Sequence, residues 1–83
     1  MSENNSFEEI DKINQENLTR KIAKVLEPIT LENKDYVIFA VTYSTNTGLI
    51  SSSSLYSTEA IIKIMEFMLD RKDNITNIEQ IED

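Results

Sequence analysis

The sequence contains no cysteine, no histidine and no tryptophan, and only one glycine and one proline among 83 residues. Without cysteine and histidine it can form no disulfide framework, no zinc site of ordinary ligation and no Ser-His-Asp or Cys-His nucleophilic centre. One glycine is too few for the glycine-rich loops that hold phosphates or dinucleotides. The carboxylates lie on predicted polar helix faces or at the termini, which is typical of a solvated surface. We therefore predict a protein that is not an enzyme and has no catalytic residues, no metal site and no cofactor.

Basic residues are also scarce, because 8 Lys and Arg stand against 15 Asp and Glu and give a net charge of −7. A surplus of negative charge repels phosphate backbones, so direct binding of nucleic acid is not expected. The sequence has no basic-then-apolar N-terminal segment and no run of about 18 apolar residues. We therefore expect no membrane contact and place the chain in the cytoplasm.

The N-terminal third predicts one long amphipathic helix over residues 6–28, preceded by a disordered segment 1–5. Ser6 and Glu9 match a capping box, in which a hydroxyl and a carboxylate each satisfy a free backbone donor. Pro28 lacks a backbone donor and disfavours helix at the preceding residue, so the helix should end near it. Its apolar residues form one stripe at the helical period: Phe7, Ile10, Leu18, Ile22, Val25 and Ile29.

Residues 36–53 predict a β-hairpin. The first strand, residues 36–43, is uncharged, rich in β-branched and aromatic residues, and apolar on both faces. Residues 46–48 (Asn-Thr-Gly) suit a hairpin turn because Asn and Gly tolerate positive φ. Residues 49–53 form the returning strand, which ends in a run of serines.

A second amphipathic helix is predicted over residues 57–72, with Ser57 as its N-cap and Glu59 in its first turn. Its polar side chains occupy only about one sixth of the circumference, and apolar side chains spread over well more than half of the rest. One hairpin and one other helix can cover a single side of it. Each large apolar side chain left exposed forgoes about 1.5 to 3 kcal/mol, which a domain of this size cannot lose repeatedly. The tail, residues 74–83, is either a short helix laid on the core or a segment ordered only by a partner.

The fold class is therefore α+β, as a single α-β-β-α domain with a short C-terminal tail. We predict that it is completed by self-association as a homodimer or larger, through the hairpin edge or the second helix, or else that the surplus apolar surface docks another protein. The candidate interface residues are Tyr36, Ile38, Ile64, Phe67 and Met68.

A cluster of hydroxyls precedes the second helix, and free N–H groups at a helix N-terminus can bind an anion or a phosphate. The candidate anion site is formed by Ser52, Ser53, Ser54, Ser57 and Thr58. The alternative interpretation is a helix cap at the polar end of a strand, which the same residues also satisfy. No cation is near in sequence, so an anion site would need a basic side chain from another copy.

The segment 37–71 resembles short uncharacterised phage and prophage proteins. The resemblance is carried by an apolar strand, a turn, Ile-Ser-Ser at 50–52, Ser-Thr-Glu-Ala-Ile-Ile at 57–62 and Met-Glu-Phe at 65–67. It covers under half of the chain and implies a mobile-element origin, with no biochemical activity and no functional residues to transfer.

These observations predict a small acidic binding protein, encoded by a phage or another mobile element, that inhibits or modulates a host protein in the host cytoplasm. One alternative is an oligomer that sequesters a small phosphorylated nucleotide signal at its serine-rich helix N-termini. A second alternative is an acidic mimic of nucleic acid, based on the carboxylate row of Glu59, Glu66, Asp70 and Asp73, which Lys63 interrupts.

Overall fold

The computed structural model describes the backbone of residues 3–81 and the side chains of residues 7–81. It confirms the α+β fold class and the α-β-β-α order. The elements are helix α1 (Glu3–Glu32), strands β1 (Ala40–Tyr43) and β2 (Ile50–Ser53), helix α2 (Thr58–Asp70) and a 3₁₀ turn (Lys72–Asn74).

Helix α1 is longer at both ends than the sequence predicts. Its backbone is already helical at Glu3, so Ser6 does not begin it and the disordered segment predicted for residues 1–5 is wrong from residue 3 on. Residues 1 and 2 lie outside the described residues. The predicted end near Pro28 is also wrong, because the helix continues to Glu32.

Two side chains support the turn of α1 that contains Pro28. Proline cannot donate within a helix, which usually ends the element. Here the hydroxyl of Thr30 donates to the carbonyl of Leu26 at 2.8 Å, and the side-chain amide of Asn33 donates to the carbonyl of Ile29 at 2.8 Å. The bond from Asn33 satisfies a carbonyl of the last turn, where backbone donors are otherwise missing, and the bond from Thr30 links the residues on either side of Pro28.

The hairpin is confirmed, but its first strand is shorter than predicted. β1 and β2 pair antiparallel, with Ala40 opposite Ser53 and Tyr43 opposite Ile50. Residues 36–39 are not a strand, because the chain beyond Ser53 bends toward α2 and offers them no partner. The turn contains Gly48 at φ 75°, a conformation that glycine adopts without steric cost.

Helix α2 begins as predicted at the cap residue Ser57, whose hydroxyl accepts from the backbone N–H of Ala60 at 3.2 Å. It ends at Asp70, two residues before the predicted end. Residues 75–81 have no helix and their side chains are exposed. The prediction of a short helix packed on the core is therefore wrong for this part of the tail, whereas its ordering by a partner stays a prediction.

Very little apolar surface is buried within the chain. Ile61, which is 1% exposed, is the single buried hydrophobic residue among those described. The chain exposes 7450 Å², whereas a compact monomer of this mass exposes about 5,100 Å². Its radius of gyration is 15.3 Å, against about 12 Å for a compact domain of this length. The protein is thus extended and leaves about 2,300 Å² more surface uncovered than a compact monomer would. No described helix has the length and apolarity that crossing a bilayer requires.

Candidate interaction surfaces

The contact between α1 and the hairpin is made by polar side chains. The amide of Gln15 donates to the hydroxyl of Thr42 at 3.1 Å, and the hydroxyls of Thr19 and Ser51 lie 2.8 Å apart. The buried hydroxyl of Ser53 donates to the carbonyl of Thr19 at 2.8 Å. These bonds are buried or half-buried, which makes the alignment of helix and hairpin specific, since unpaired groups there would cost free energy.

The apolar stripe of α1 does not face the hairpin. The residues of α1 that meet the hairpin follow a four-residue spacing from Asp11 through Gln15 to Thr19, and this face is rotated roughly a quarter turn from the stripe. Except for the half-buried Ile22, the stripe residues are exposed. The expected apolar cover of the hairpin is therefore replaced by a hydrogen-bonded one, because the inner face of the hairpin carries hydroxyls that need partners.

The outer hairpin face, defined as Val41, Tyr43 and Ile50, is apolar and uncovered. Tyr43 and Ile50 lie directly opposite each other across the two strands. Tyr43 is 64% exposed, and the other two side chains are exposed as well. The hairpin thus directs the hydroxyls of Thr42, Ser51 and Ser53 toward α1 and its large apolar side chains outward together with Ser52. This is the reverse of the arrangement expected in a domain that stands alone.

The second uncovered surface is the α2 groove, defined as Ile64, Phe67, Met68, Arg71 and Ile75. It has a volume of about 280 Å³ and also includes Asn74. The guanidinium of Arg71 lies 4.9 Å from the centroid of the Phe67 ring. Helix α2 makes far fewer contacts with the rest of the chain than α1 and the hairpin make with each other. Its C-terminal half is therefore an apolar helix with little cover from its own chain.

The structure brings three of the five predicted interface residues together, since Ile64, Phe67 and Met68 all line the α2 groove. Tyr36 and Ile38 do not line it. They lie in the segment before β1, where the carbonyl of Tyr36 accepts from the hydroxyl of Tyr56 at 3.3 Å. Tyr36 is exposed and Ile38 is half-buried.

The predicted anion-site residues do not share one surface. Ser53 is buried against α1, whereas Ser52 points to the opposite side of β2. The hydroxyl of Ser54 accepts from the N–H of Tyr56 at 3.1 Å and lies 3.2 Å from its carbonyl. Ser57 is the helix cap, and Thr58 is the first residue of α2. The hydroxyls of Ser53, Ser54 and Ser57 thus serve the fold, as the capping interpretation requires.

Asp11 forms a contact with the hairpin turn that the sequence does not signal, since a lone aspartate on a charged helix looks like any solvated acid. The hydroxyl of Ser44 donates to Asp11 Oδ2, and the side-chain amide of Asn46 donates to Oδ1 at 3.2 Å. These two hydrogen bonds, the one from Ser44 first, lower the pKa of Asp11 because they favour its charged form. The carboxylate therefore fastens the hairpin tip to α1.

We expect this contact to weaken in acid. Because the pKa of Asp11 is lower in the folded state, its contribution to stability is complete above the ordinary pKa of aspartate, about 4. It is lost as the pH falls from there through the lowered folded-state value. The stability difference between wild type and Asp11→Asn, measured by urea unfolding from pH 7 to pH 3, should shrink toward the acid end. A difference that is the same at every pH, or one that persists unchanged in a Ser44→Ala background, would contradict this assignment.

Among the described residues, no group of three or more carboxylates lies close enough together to hold a metal ion. The row of Glu59, Glu66, Asp70 and Asp73 is exposed, with Lys63 between its members.

Comparison with known proteins finds no family model, no curated protein and no solved structure that matches this chain. Its function has therefore to be inferred from its own surfaces.

Proposed function

We propose that this chain is a non-catalytic binding protein of a phage or another mobile element, and that it inhibits or modulates a host protein by covering part of that protein's surface. The observation that carries this proposal is the uncovered area. A stable protein interface buries about 800 Å² on each partner. The surface left open beyond that of a compact monomer, about 2,300 Å², exceeds this several-fold. Binding another macromolecule is the physical use for such a surface.

The outer hairpin face is the part of this surface that best suits a foreign protein. Tyr43 is a rigid amphipathic side chain, and such residues are enriched among those that dominate binding energy. The hydrogen bonds of Gln15, Thr19 and Ser53 on the other side of the hairpin fix it before binding. A prearranged surface loses less conformational entropy when it binds. Neither nucleotide sequestration nor nucleic-acid mimicry receives comparable support, because the serine hydroxyls are engaged in the fold and Lys63 interrupts the acidic row.

The test is capture from host extract with the wild-type chain, followed by titration of the captured protein with variants. We expect Tyr43→Ala to weaken binding by about 30-fold or more, the effect typical of a central aromatic anchor. The captured protein should lose or change its activity when the wild-type chain is bound.

The matched control is Phe7→Ala, which removes an aromatic side chain of nearly the same exposure, 63%, from α1. It should bind as the wild type does. The proposal fails if Tyr43→Ala binds the captured protein with unchanged affinity, or if saturating amounts of the chain leave that protein's activity unaltered.

A further inference from the structure

We infer that a second copy of this chain covers the α2 groove, and that the two α2 helices pack antiparallel about a two-fold axis. This goes beyond the proposed function, since it concerns a different surface and a different partner. The groove is lined by the apolar side chains of Ile64, Phe67 and Met68, on a helix that its own chain scarcely contacts. A hydrophobic helix face of this kind in a small domain is commonly covered by another copy.

The residues on this side of α2 have the spacing of a helix-pairing seam. Ala60, Ile64 and Phe67 of α2 and its C-cap residue Arg71 follow one another at intervals of four, three and four residues. This alternation keeps side chains along one line between two packed helices. Ile61, about a quarter turn from the seam, is buried within its own chain, whereas Ala60 and Ile64 are half-buried and Phe67 and Arg71 are exposed. The C-terminal part of the seam is therefore open, and Ile64 keeps part of its surface accessible, while α2 keeps its intramolecular contact.

An antiparallel alignment gives every position of the seam a suitable neighbour. Ile64 of each copy packs against Phe67 of the other, which forms two central apolar layers. Arg71 of each copy lies opposite Ala60 of the other, and the small alanine leaves room for a guanidinium that already lies over the Phe67 ring. A parallel alignment would instead place the two Arg71 side chains in one layer, where like charges repel.

The charged residues beside the seam also favour the antiparallel orientation. Lys63 and Asp70 both flank the seam on the same side, seven residues apart. In an antiparallel pair, Lys63 of each copy faces Asp70 of the other, so that two ion pairs form across the two-fold axis. Both side chains are exposed in the single chain, and neither has an ion-pair partner among the described residues. The second copy supplies that partner.

The exposed surface is also large enough to bind both a second copy and a further partner. An ordinary dimer interface takes about 800 Å² from each chain, which is less than half of the surface left open beyond that of a compact monomer. The outer hairpin face can therefore remain open for a host protein after α2 has paired.

Exchanging the charges of Lys63 and Asp70 tests the antiparallel orientation of the two helices. We expect sedimentation equilibrium at low salt to show a dimer for the wild type. Lys63→Asp and Asp70→Lys should each weaken it by about tenfold, because two like-charge contacts replace two ion pairs. The double variant should return to within about threefold of the wild type, because the pairs are restored with their signs reversed. Circular dichroism of each variant checks that α2 is still helical.

Single cysteines give a second measurement, since the native chain has none. In the antiparallel pair, positions 60 of the two copies are separated by roughly 16 Å along the helix axis, too far for a disulfide. Ala60→Cys alone should therefore not cross-link on oxidation, whereas a mixture of Ala60→Cys and Arg71→Cys chains should.

Cross-linking of Ala60→Cys alone, or a failure of the double charge variant to recover, would overturn the antiparallel alignment. A wild-type chain that is monomeric at high micromolar concentration would overturn the pairing altogether. Neither result bears on the outer hairpin face, because binding of a host protein is measured separately with Tyr43→Ala.

Discussion

Replacing Ile61 with alanine is expected to unfold most of the chain. Ile61 is the single buried hydrophobic residue among those described, and it lies in the first turn of α2. Truncating a fully buried isoleucine to alanine costs about 2 to 5 kcal/mol. A single small core seldom supplies more than about 3 to 5 kcal/mol of net stability. One substitution can therefore remove all the stability that the isolated chain has.

The measurement is urea unfolding followed by circular dichroism at a fixed protein concentration. The matched control is Ile62→Ala, which removes the same atoms from the next residue of α2, where the side chain is 47% exposed. It should cost clearly less, because about half of that side chain's surface is in contact with water before the change. Equal losses for the two variants would show that Ile61 is not the centre of the core.

In the proposed dimer, Phe67→Glu is expected to separate the two copies into monomers. Phe67 is 56% exposed in the single chain and lies at the centre of the α2 groove. Because about half of Phe67 is still exposed, its burial by a second copy contributes about half of the 1.5 to 3 kcal/mol of a fully buried side chain, and a two-fold interface contains it twice. The resulting loss of about 1.5 to 3 kcal/mol weakens the dimer by at least about tenfold. The glutamates add the cost of burying charge in the groove.

Light scattering across a concentration series measures this change as a halved molar mass. Met68→Glu, in the same groove, should act in the same direction. The control is Leu69→Glu, which adds the same charge to the next residue on another side of α2, at a position that is 76% exposed. It should leave the mass of the wild type unchanged. Should Leu69→Glu dissociate the dimer while Phe67→Glu does not, the second copy lies on another side of the helix.

The elements of this fold could be predicted from local sequence signals. Ser57 predicts the start of α2 because a hydroxyl at that position satisfies a free backbone N–H, whatever the rest of the chain does. Gly48 predicts the turn for an equally local reason, its tolerance of positive φ. These signals act within four residues, so they operate before any tertiary contact is made.

The helix and strand ends that were predicted wrongly depend on contacts with residues outside the element itself. Pro28 normally ends a helix, but the bond from Thr30 to Leu26 supports the same turn. The strand predicted from Tyr36 has suitable residues, yet β2 bends away at Ser53 and leaves nothing to pair with. Propensity alone cannot locate such limits, because a strand exists only where a partner runs beside it.

The candidate site could be predicted only in part, because composition does not determine which face of an element is buried. The sequence identifies Ile64, Phe67 and Met68 as surplus apolar residues, and the structure places them in one groove. It does not identify the outer hairpin face, because the first strand is apolar on both faces and the pattern alone does not select the one that is covered. The pairing of Thr19 with Ser51 decides which face is covered, and that contact joins residues 32 positions apart.

The polar junction between α1 and the hairpin has a consequence for the energetics of the protein. Exposure of apolar surface raises the heat capacity on unfolding, and exposure of polar surface lowers it. When the isolated chain melts, the junction releases mainly hydroxyl, amide and carboxylate groups, and most of the large apolar side chains are already hydrated. We therefore expect most of the heat-capacity change that usually accompanies folding to appear instead when the proposed second copy or the proposed host protein binds.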